Sequence, residues 1–389
     1  MAGKMVNVGL VGCRFMGKAH SNAFQRMPMF FPDAAAFPVM KALCGRNEAV
    51  VSQVARNWGW ESYETSWERL IARPDIDLVD IVTPNDSHRD IAFAAAQAGK
   101  HILCEKPLAM NLEQAVEMYR AVEAAGVTHM VGFNYRRLPA VQLARQFIER
   151  GMVGKICHFR AVYLQDWIVD PEFPLVWRLD RKVAGSGPLG DLGAHIIDIA
   201  RFLVGEFDEV VGLNRTFIKD RPLPSASGDS TIPGPVARGE VTVEDASLFL
   251  ASFKNGAVGN FEATRFGLGN KNGQRWEING SKGSIRFNLE RLNELEFYST
   301  EDPDFSRGFK SILVTEPVHP YAKAWWPPGH IIGYEHSFVH QVYDLMQAIA
   351  LEQPIIPSFL DGVRCQEVLE AVERSVESRG WVKVEDSQK

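Results

Sequence analysis

Over the first 130 or so residues, short and nearly all-apolar runs alternate with stretches of helical periodicity. The runs at 6–11, 39–44, 78–82, 101–104 and 128–133 read as buried strands of a parallel sheet, since a strand covered on both faces has no polar side. Between them, 48–58, 67–72, 88–98 and 112–125 carry the spacing of amphipathic helices. Gly99 and Gly126 stand where a left-handed glycine would end two of these helices, and Asn111 with Gln114 three residues on resembles a helix start. Repeated strand–helix units predict a parallel sheet with helices on both faces. The stretch 27–38, apolar and proline-rich, is too irregular for an element and reads as an insertion packed over a cleft or against a partner subunit.

Past Arg137 the period changes. A helix at 140–150 gives way to strand-like runs at 155–165, 209–217, 241–253, 257–265, 274–279, 284–288 and 294–298, with Asn255-Gly256 and 279–283 as turns. Helices are expected at 191–204 and near 338–351, and the Pro/Gly/Ser-rich stretch 222–239 reads as a long surface loop. The fold class is therefore α/β in two parts. Residues 1–135 form a doubly wound domain, and 136–389 an α+β domain with a large, mostly antiparallel open sheet.

A chain of 389 residues suits two cores. The net charge of −6 argues against a nucleic-acid partner, which needs a concentrated basic face. Apolar runs fall short of the roughly 20 residues that span a membrane. The start of the chain passes straight into a strand rather than a leader, and five scattered cysteines with no Cys-x-x-Cys pair indicate neither zinc nor a disulfide framework. A reducing cytoplasm is the expected compartment.

Three segments carry candidate chemistry. The first strand runs into Gly12-Cys13-Arg14-Phe15-Met16-Gly17, where Gly12 suits a tight turn and Gly17 close helix–strand packing. Arg14 replaces the middle glycine of a dinucleotide fingerprint, yet strand–loop–helix placement still offers free N–H groups to a diphosphate. A plain tight turn is the alternative. The second strand ends at Gly45-Arg46, where an acid that selects NAD is missing; Arg46 leans toward NADP or dual use, or is an exposed turn cation.

Glu105-Lys106-Pro107 follows the fourth strand directly, which puts Lys106 in the crevice beyond the strand ends where open α/β sheets bind ligands. A lysine there can have a lowered pKa and can bind a substrate oxygen or share its proton. Downstream, a glycine-rich lead lets a backbone approach a ligand closely and opens a helical run with Asp191 and His195 four apart, on one helix face. A histidine beside a carboxylate is a candidate general base, although a helix N-terminal turn or a metal site remain alternatives.

These residues, with Thr83-Pro84-Asn85 and His88, match in order the motifs of the Gfo/Idh/MocA oxidoreductases, and the chain resembles that family over most of its length. Phe15-Met16-Gly17, Asn134 through Arg137, Tyr163 through Trp167 and 184–187 are most similar to its levoglucosan dehydrogenase and glycoside 3-dehydrogenase branch. The resemblance implies a Rossmann dinucleotide domain, Lys106, Asp191 and His195 as the catalytic trio, and dinucleotide contacts from Gly12 to Gly17 and from Arg46, Thr83, Pro84, Asn85, His88, Glu105 and Lys106. Members of that branch use NAD.

Substrate contacts are expected from Tyr163, Gln165, Asp166 and Trp167, and from Asn134 and His195, with Arg136, Arg137, Trp177, Arg178 and His336 as further candidates. If several of these cations converge, an anionic sugar becomes plausible. The implied activity is oxidation of a secondary ring hydroxyl of a sugar, glycoside or anhydrosugar, in a homodimer or homotetramer joined through the second-domain sheet. A redox-neutral glycoside hydrolase with tightly held NAD stays open, as does a non-enzymatic dinucleotide sensor.

Overall fold

The computed structural model describes residues 3–224 and 237–387. Six parallel strands form the first sheet: β1 (Lys4–Val11), β2 (Ala36–Cys44), β3 (Ser62–Glu64), β4 (Leu78–Ile81), β5 (His101–Cys104) and β6 (His129–Val131). Their order is β3-β2-β1-β4-β5-β6, the doubly wound arrangement whose ligand crevice opens at the reversal of strand order. The connecting helices are α1 (Phe15–Phe30), α2 (Glu48–Trp58), α3 (Trp67–Ala72), α4 (His88–Gln97) and α5 (Leu112–Ala125). Local chemistry sets their ends. Asn47 and Asn111 accept the N–H groups of Val50 and Gln114, and Gly126, at φ 64°, stops α5. The three-residue β3 carries too little apolar pattern to be read from sequence.

The stretch 27–38 is no insertion. Helix α1 continues through Pro28 to Phe30, and β2 begins at Ala36. Its apolar residues meet aromatics of the same chain: Phe30 lies 4.2 Å from Trp325, and Phe31 stacks on Tyr343 at 4.2 Å. Pro28 sits in the last turn, where the helix survives the lost N–H because packing outweighs it.

The second part follows with α6 (Pro139–Glu149), β7 (Ile156–Leu164), the short α7 (Arg181–Ala184) and α8 (Ala194–Leu203). Then come β8 (Phe207–Arg215), β9 (Asp220–Pro222), β10 (Arg238–Glu240), β11 (Ala246–Phe253), β12 (Val258–Thr264), β13 (Gly273–Gly280), β14 (Gly283–Asn288), β15 (Glu294–Ser299) and β16 (Lys310–Leu313). Two long helices, α9 (His336–Leu351) and α10 (Phe359–Ser378), precede the terminal β17 (Val382–Lys383). Nine strands join in the order β16-β15-β14-β13-β7-β12-β11-β8-β17, and among the described residues every pairing is antiparallel except β7 with β12.

The expected strand at 241–253 begins only at Ala246; Glu244 and Asp245 just before it are buried, and the Asp245 carboxylate accepts the N–H groups of Phe217 and Ile218. In the stretch 222–239 the flanks pair as β9 and β10, and residues 225–236 lie outside the described residues. Alternation along β7, β11, β13 and β14 gives the nine-stranded sheet a buried face under α6, α8 and α10 and an open face carrying Leu213, Leu248, Leu250 and Val258.

The chain then returns to the first sheet. Phe338, Val342, Leu345 and Met346 of α9 share one core with Val6, Val8 and Phe24, while α10 packs across α5 and β8. α10 is announced by a capping box, Ser358 with Asp361, that the sequence reading passed over. No helix among the described residues is long and apolar enough to cross a membrane.

Candidate active site

A cleft of about 920 Å³ opens between the carboxyl ends of the first sheet and the buried face of the second. One wall is main chain. Gly12 has φ 125°, and a Cβ on Gly17 would collide with the Gly12 carbonyl oxygen, so the loop closes tightly only with glycine at both positions. Neither glycine lines the cleft; they shape the loop from which Arg14, Phe15 and Met16 do. Arg14 caps α1 without a side-chain hydrogen bond, which leaves the first N–H groups of the helix to face an anion. Cys13 instead faces the next strand end, where a Cβ on Gly45 would sit 2.9 Å from its Sγ. The turn, the bare helix N-terminus and the opposing ledge of Thr83, Pro84 and Asn85 together fit a dinucleotide.

Two expected dinucleotide contacts lie elsewhere. Arg46 is exposed and outside the cleft lining. His88 is fully buried, with its ring nitrogens 3.1 Å from the Pro107 carbonyl oxygen and 3.0 Å from that of Thr83. It ties two cleft loops together from behind. Glu105 lines the cleft, but its oxygens are taken by His20 at 3.1 Å and by the Lys106 N–H at 3.2 Å.

Lys106 projects from the loop after β5. Its Nζ donates to the Asp191 carbonyl oxygen at 2.9 Å and to Asp191 Oδ1 at 3.0 Å, so one of its three donors remains for the cleft. Arg265, 1% exposed, donates from Nη2 to Asp191 Oδ2 at 2.8 Å. Burial works to raise the Asp191 carboxyl, but Lys106, Arg265 and Arg178 outweigh it and hold it well below the usual carboxylate range.

His195 is 7% exposed, with its ring 4.5 Å from that of Tyr135 and 5.9 Å from that of Tyr163. Burial, helped by the Lys106 cation, holds it well below the usual imidazole range, so it is a neutral base near pH 7.

Asp191 and His195 do not pair on one α-helical face. Leu189–Gly193 is a π-helical turn that slides the register before α8 begins, and Asp191 engages Lys106 and Arg265 instead. The preceding glycines serve protein packing rather than ligand approach. A Cβ on Gly187 would strike the Glu244 carbonyl oxygen, and one on Gly185 would come 2.8 Å from that of Met110.

The far wall is made of side chains. Tyr135 hydroxyl lies 3.0 Å from that of Tyr163, which donates to Asn272 Oδ1 at 2.7 Å. Gln165 donates to the same oxygen at 3.1 Å and accepts from Trp167 Nε1 at 2.8 Å. Arg178 stacks on Trp177, its guanidinium carbon 4.4 Å from the ring centroid. Asn134 reaches the lining from a 3₁₀ turn at 134–137 and donates to Ser337 at 2.8 Å.

Four expected substrate contacts lie outside this lining. Arg136 is clamped by Asp198 and Asp361, and Arg137 by Asp344 and the Ile356 carbonyl, both deep in the protein. His336 packs against Trp325 at the start of α9. Asp166 pairs with Lys271 at 2.7 Å, and it is Lys271 that reaches the cleft. Arg265 and Asn272 were not singled out from sequence, since only the sheet register carries them to the site, and Tyr135, inside the 134–137 stretch, was not separated from its neighbours there.

Residues 6–133 match the family described as "Oxidoreductase family, NAD-binding Rossmann fold", and residues 141–286 match "GFO/IDH/MocA C-terminal domain". The chain is 46% identical over 383 residues to levoglucosan dehydrogenase of Pseudarthrobacter phenanthrenivorans, covering 97% of this chain and 98% of that protein. Inositol 2-dehydrogenase of Rhizobium meliloti is 27% identical, with 97% and 99% covered. Among solved structures, an oxidoreductase domain protein from Kribbella flavida superposes with a TM-score of 0.95 at 51% identity, covering 99% of this chain and 100% of that one. A levoglucosan dehydrogenase in complex with NADH and levoglucosan superposes with a TM-score of 0.94 at 45% identity, with 98% and 100% covered. The chain belongs to the Gfo/Idh/MocA family of NAD-binding oxidoreductases.

Proposed function

We propose that this oxidoreductase oxidises a secondary ring hydroxyl of an anhydrosugar or glycoside, with levoglucosan the first candidate, and that Lys106, Asp191 and His195 handle the proton. The observation that carries this reading is one cleft holding a dinucleotide-shaped loop, a neutral buried histidine and a lysine with one donor left over. NAD, when bound along the Gly12–Gly17 turn, supplies the hydride acceptor. His195 takes the hydroxyl proton as carbon is oxidised, and Lys106 directs its remaining N–H at the developing alkoxide. Asp191 keeps Lys106 in that position, with Arg265 holding Asp191 from the other side.

The cations of the cleft favour a neutral polyol over an anionic sugar. Arg265 and Lys271 are paired with Asp191 and Asp166, while Arg136 and Arg137 are buried elsewhere. Arg178 alone does not make a carboxylate site. NAD is favoured over NADP because residues 6–133 match an NAD-binding family and similar levoglucosan dehydrogenase structures hold NADH. The apolar strip Leu213, Leu248, Leu250 and Val258 supports association of two copies through their sheets, which light scattering at the mass of a single chain would contradict. Five free thiols support a reducing, cytoplasmic setting, and fractionation of cells that express the protein tests it.

The decisive assay incubates the protein with NAD and a panel of levoglucosan, free sugars, aryl glycosides and sugar acids, reading NADH and released aglycone together. Net NADH with levoglucosan or a glycoside is the expected result. Aglycone release without NADH would replace this reading with redox-neutral cleavage, and turnover confined to sugar acids would reverse the charge argument.

A further inference from the structure

Beneath the cleft lies an ion cluster that the proton chemistry above does not use. His20 sits on α1, just beyond the glycine loop, and is 1% exposed. Its Nδ1 is 2.8 Å from Asp80 Oδ2 on β4, and its Nε2 is 3.1 Å from Glu105 Oε1 at the end of β5. Both partners are carboxylate oxygens, so both ring nitrogens donate, which is a property of the imidazolium alone. Burial opposes that charge, yet Asp80 and Glu105 outweigh it and push His20 up to about 10. Burial also lifts the Asp80 carboxyl against the pull of His20.

The cluster has one outlet. The second oxygen of Glu105 accepts the backbone N–H of Lys106 at 3.2 Å. The neighbouring strand end leaves room for this carboxylate, because a Cβ on Gly132 would come 2.5 Å from Glu105 Oε1. Phe338 of α9 closes the other side, its ring 5.3 Å from that of His20. Asp80 Oδ1 is buried with no hydrogen-bond partner among the described residues, so the arrangement carries a solvation cost. Well-packed apolar groups would stabilise such a site at least as well as buried ions do. What ions add is direction: Asp80 holds His20, and His20 with the Lys106 N–H fixes one orientation of Glu105.

We propose that His20 is a positioning residue for the reaction, holding Glu105 and through it the Lys106 main chain at a fixed height above α1. The helix that carries the dinucleotide loop and the lysine that meets the alkoxide are thereby set relative to one another. This rests on the reading of Lys106 given above.

The test uses the full chain with NAD and levoglucosan, or the panel sugar with the fastest turnover. His20→Gln is expected to lower kcat by about 10–100-fold, the scale of a small misplacement of a reacting group, while KM for the sugar and Kd for NADH stay within about twofold. Glu105→Gln keeps the shape but has one acceptor oxygen where two are needed, and the same selective loss of kcat is expected; it serves if His20→Gln does not fold. In a Lys106→Gln background, His20→Gln should cause no further loss, since its effect passes through Lys106. A kcat within about twofold of the parent in both single variants, a parallel loss of NADH affinity, or multiplicative losses in the double variant would each overturn the proposal. Unimpaired turnover in Lys106→Gln alone would instead remove the role of the lysine itself.

Discussion

The two walls of the cleft are built by different means. The dinucleotide wall is backbone, a glycine turn and a helix start that follow one another within six residues from Gly12 to Gly17. The sugar wall is side chains drawn from residue 135 to residue 272, through the register of β7 against β12 and β13. A backbone wall is vulnerable to a single added methyl group but indifferent to most side chains. A side-chain wall can lose one contact at a time, which makes it the wall that sets which sugar is accepted.

The sharpest break in that comparison is at the seam, where His195 and Lys106 line the same cleft. His195→Ala should reduce kcat by about 10²–10⁴-fold, with NADH affinity by fluorescence titration nearly unchanged. The pH profile sharpens the same point. The base works deprotonated, so kcat/KM for sugar oxidation falls as pH drops through the pKa of folded His195, which lies well below 6.5. A profile flat down through pH 6.5 is expected, and an acid limb centred near 6.5 would assign the proton to another group.

On the backbone wall, Gly17→Ala should weaken NADH binding by about tenfold or more, about 1.4 kcal/mol, since the Gly12 turn has to shift. On the side-chain wall, Asn272→Ala removes the shared acceptor of Tyr163 and Gln165. It should raise the KM of the sugar by about 5–30-fold, the worth of one to two kcal/mol, with NADH Kd unchanged. Arg46→Ala should be the mildest, with less than about a twofold change in NADH Kd, because its side chain lies outside the cleft lining. If Gly17→Ala spared NADH while Asn272→Ala disturbed it, the division into two walls would fail.

The same division explains what could be read from the chain. Local devices were legible: α2, α3 and α5 start and stop where their periodicity indicates, and α5 carries the Asn111 cap and the Gly126 stop. Lys106 was legible because a strand end fixes where the next residues go. The partners of Lys106 and Asp191 were harder. Arg265 follows β12 and meets Asp191 only after β12 pairs with β7, a parallel register between residues a hundred apart in sequence, for which the chain carries no local signal. Arg137 and His336 failed for the converse reason. A cation or imidazole looks the same in a sequence whether it faces a ligand or a buried carboxylate such as Asp344. The stretch 27–38 was misread because its turn-like prolines were weighed without the tryptophans it packs against three hundred residues later.

The return of α9 to the first sheet limits how this chain can be rebuilt. Phe338, Val342 and Met346 belong to the core that contains β1, and Gln347 accepts the N–H of Ala35 at 2.6 Å. A chimera that exchanged only the N-terminal half with a relative would mate a foreign sheet to a native lid. For cofactor preference to be transplanted, the graft has to be discontinuous, carrying α9 along with the strands it covers.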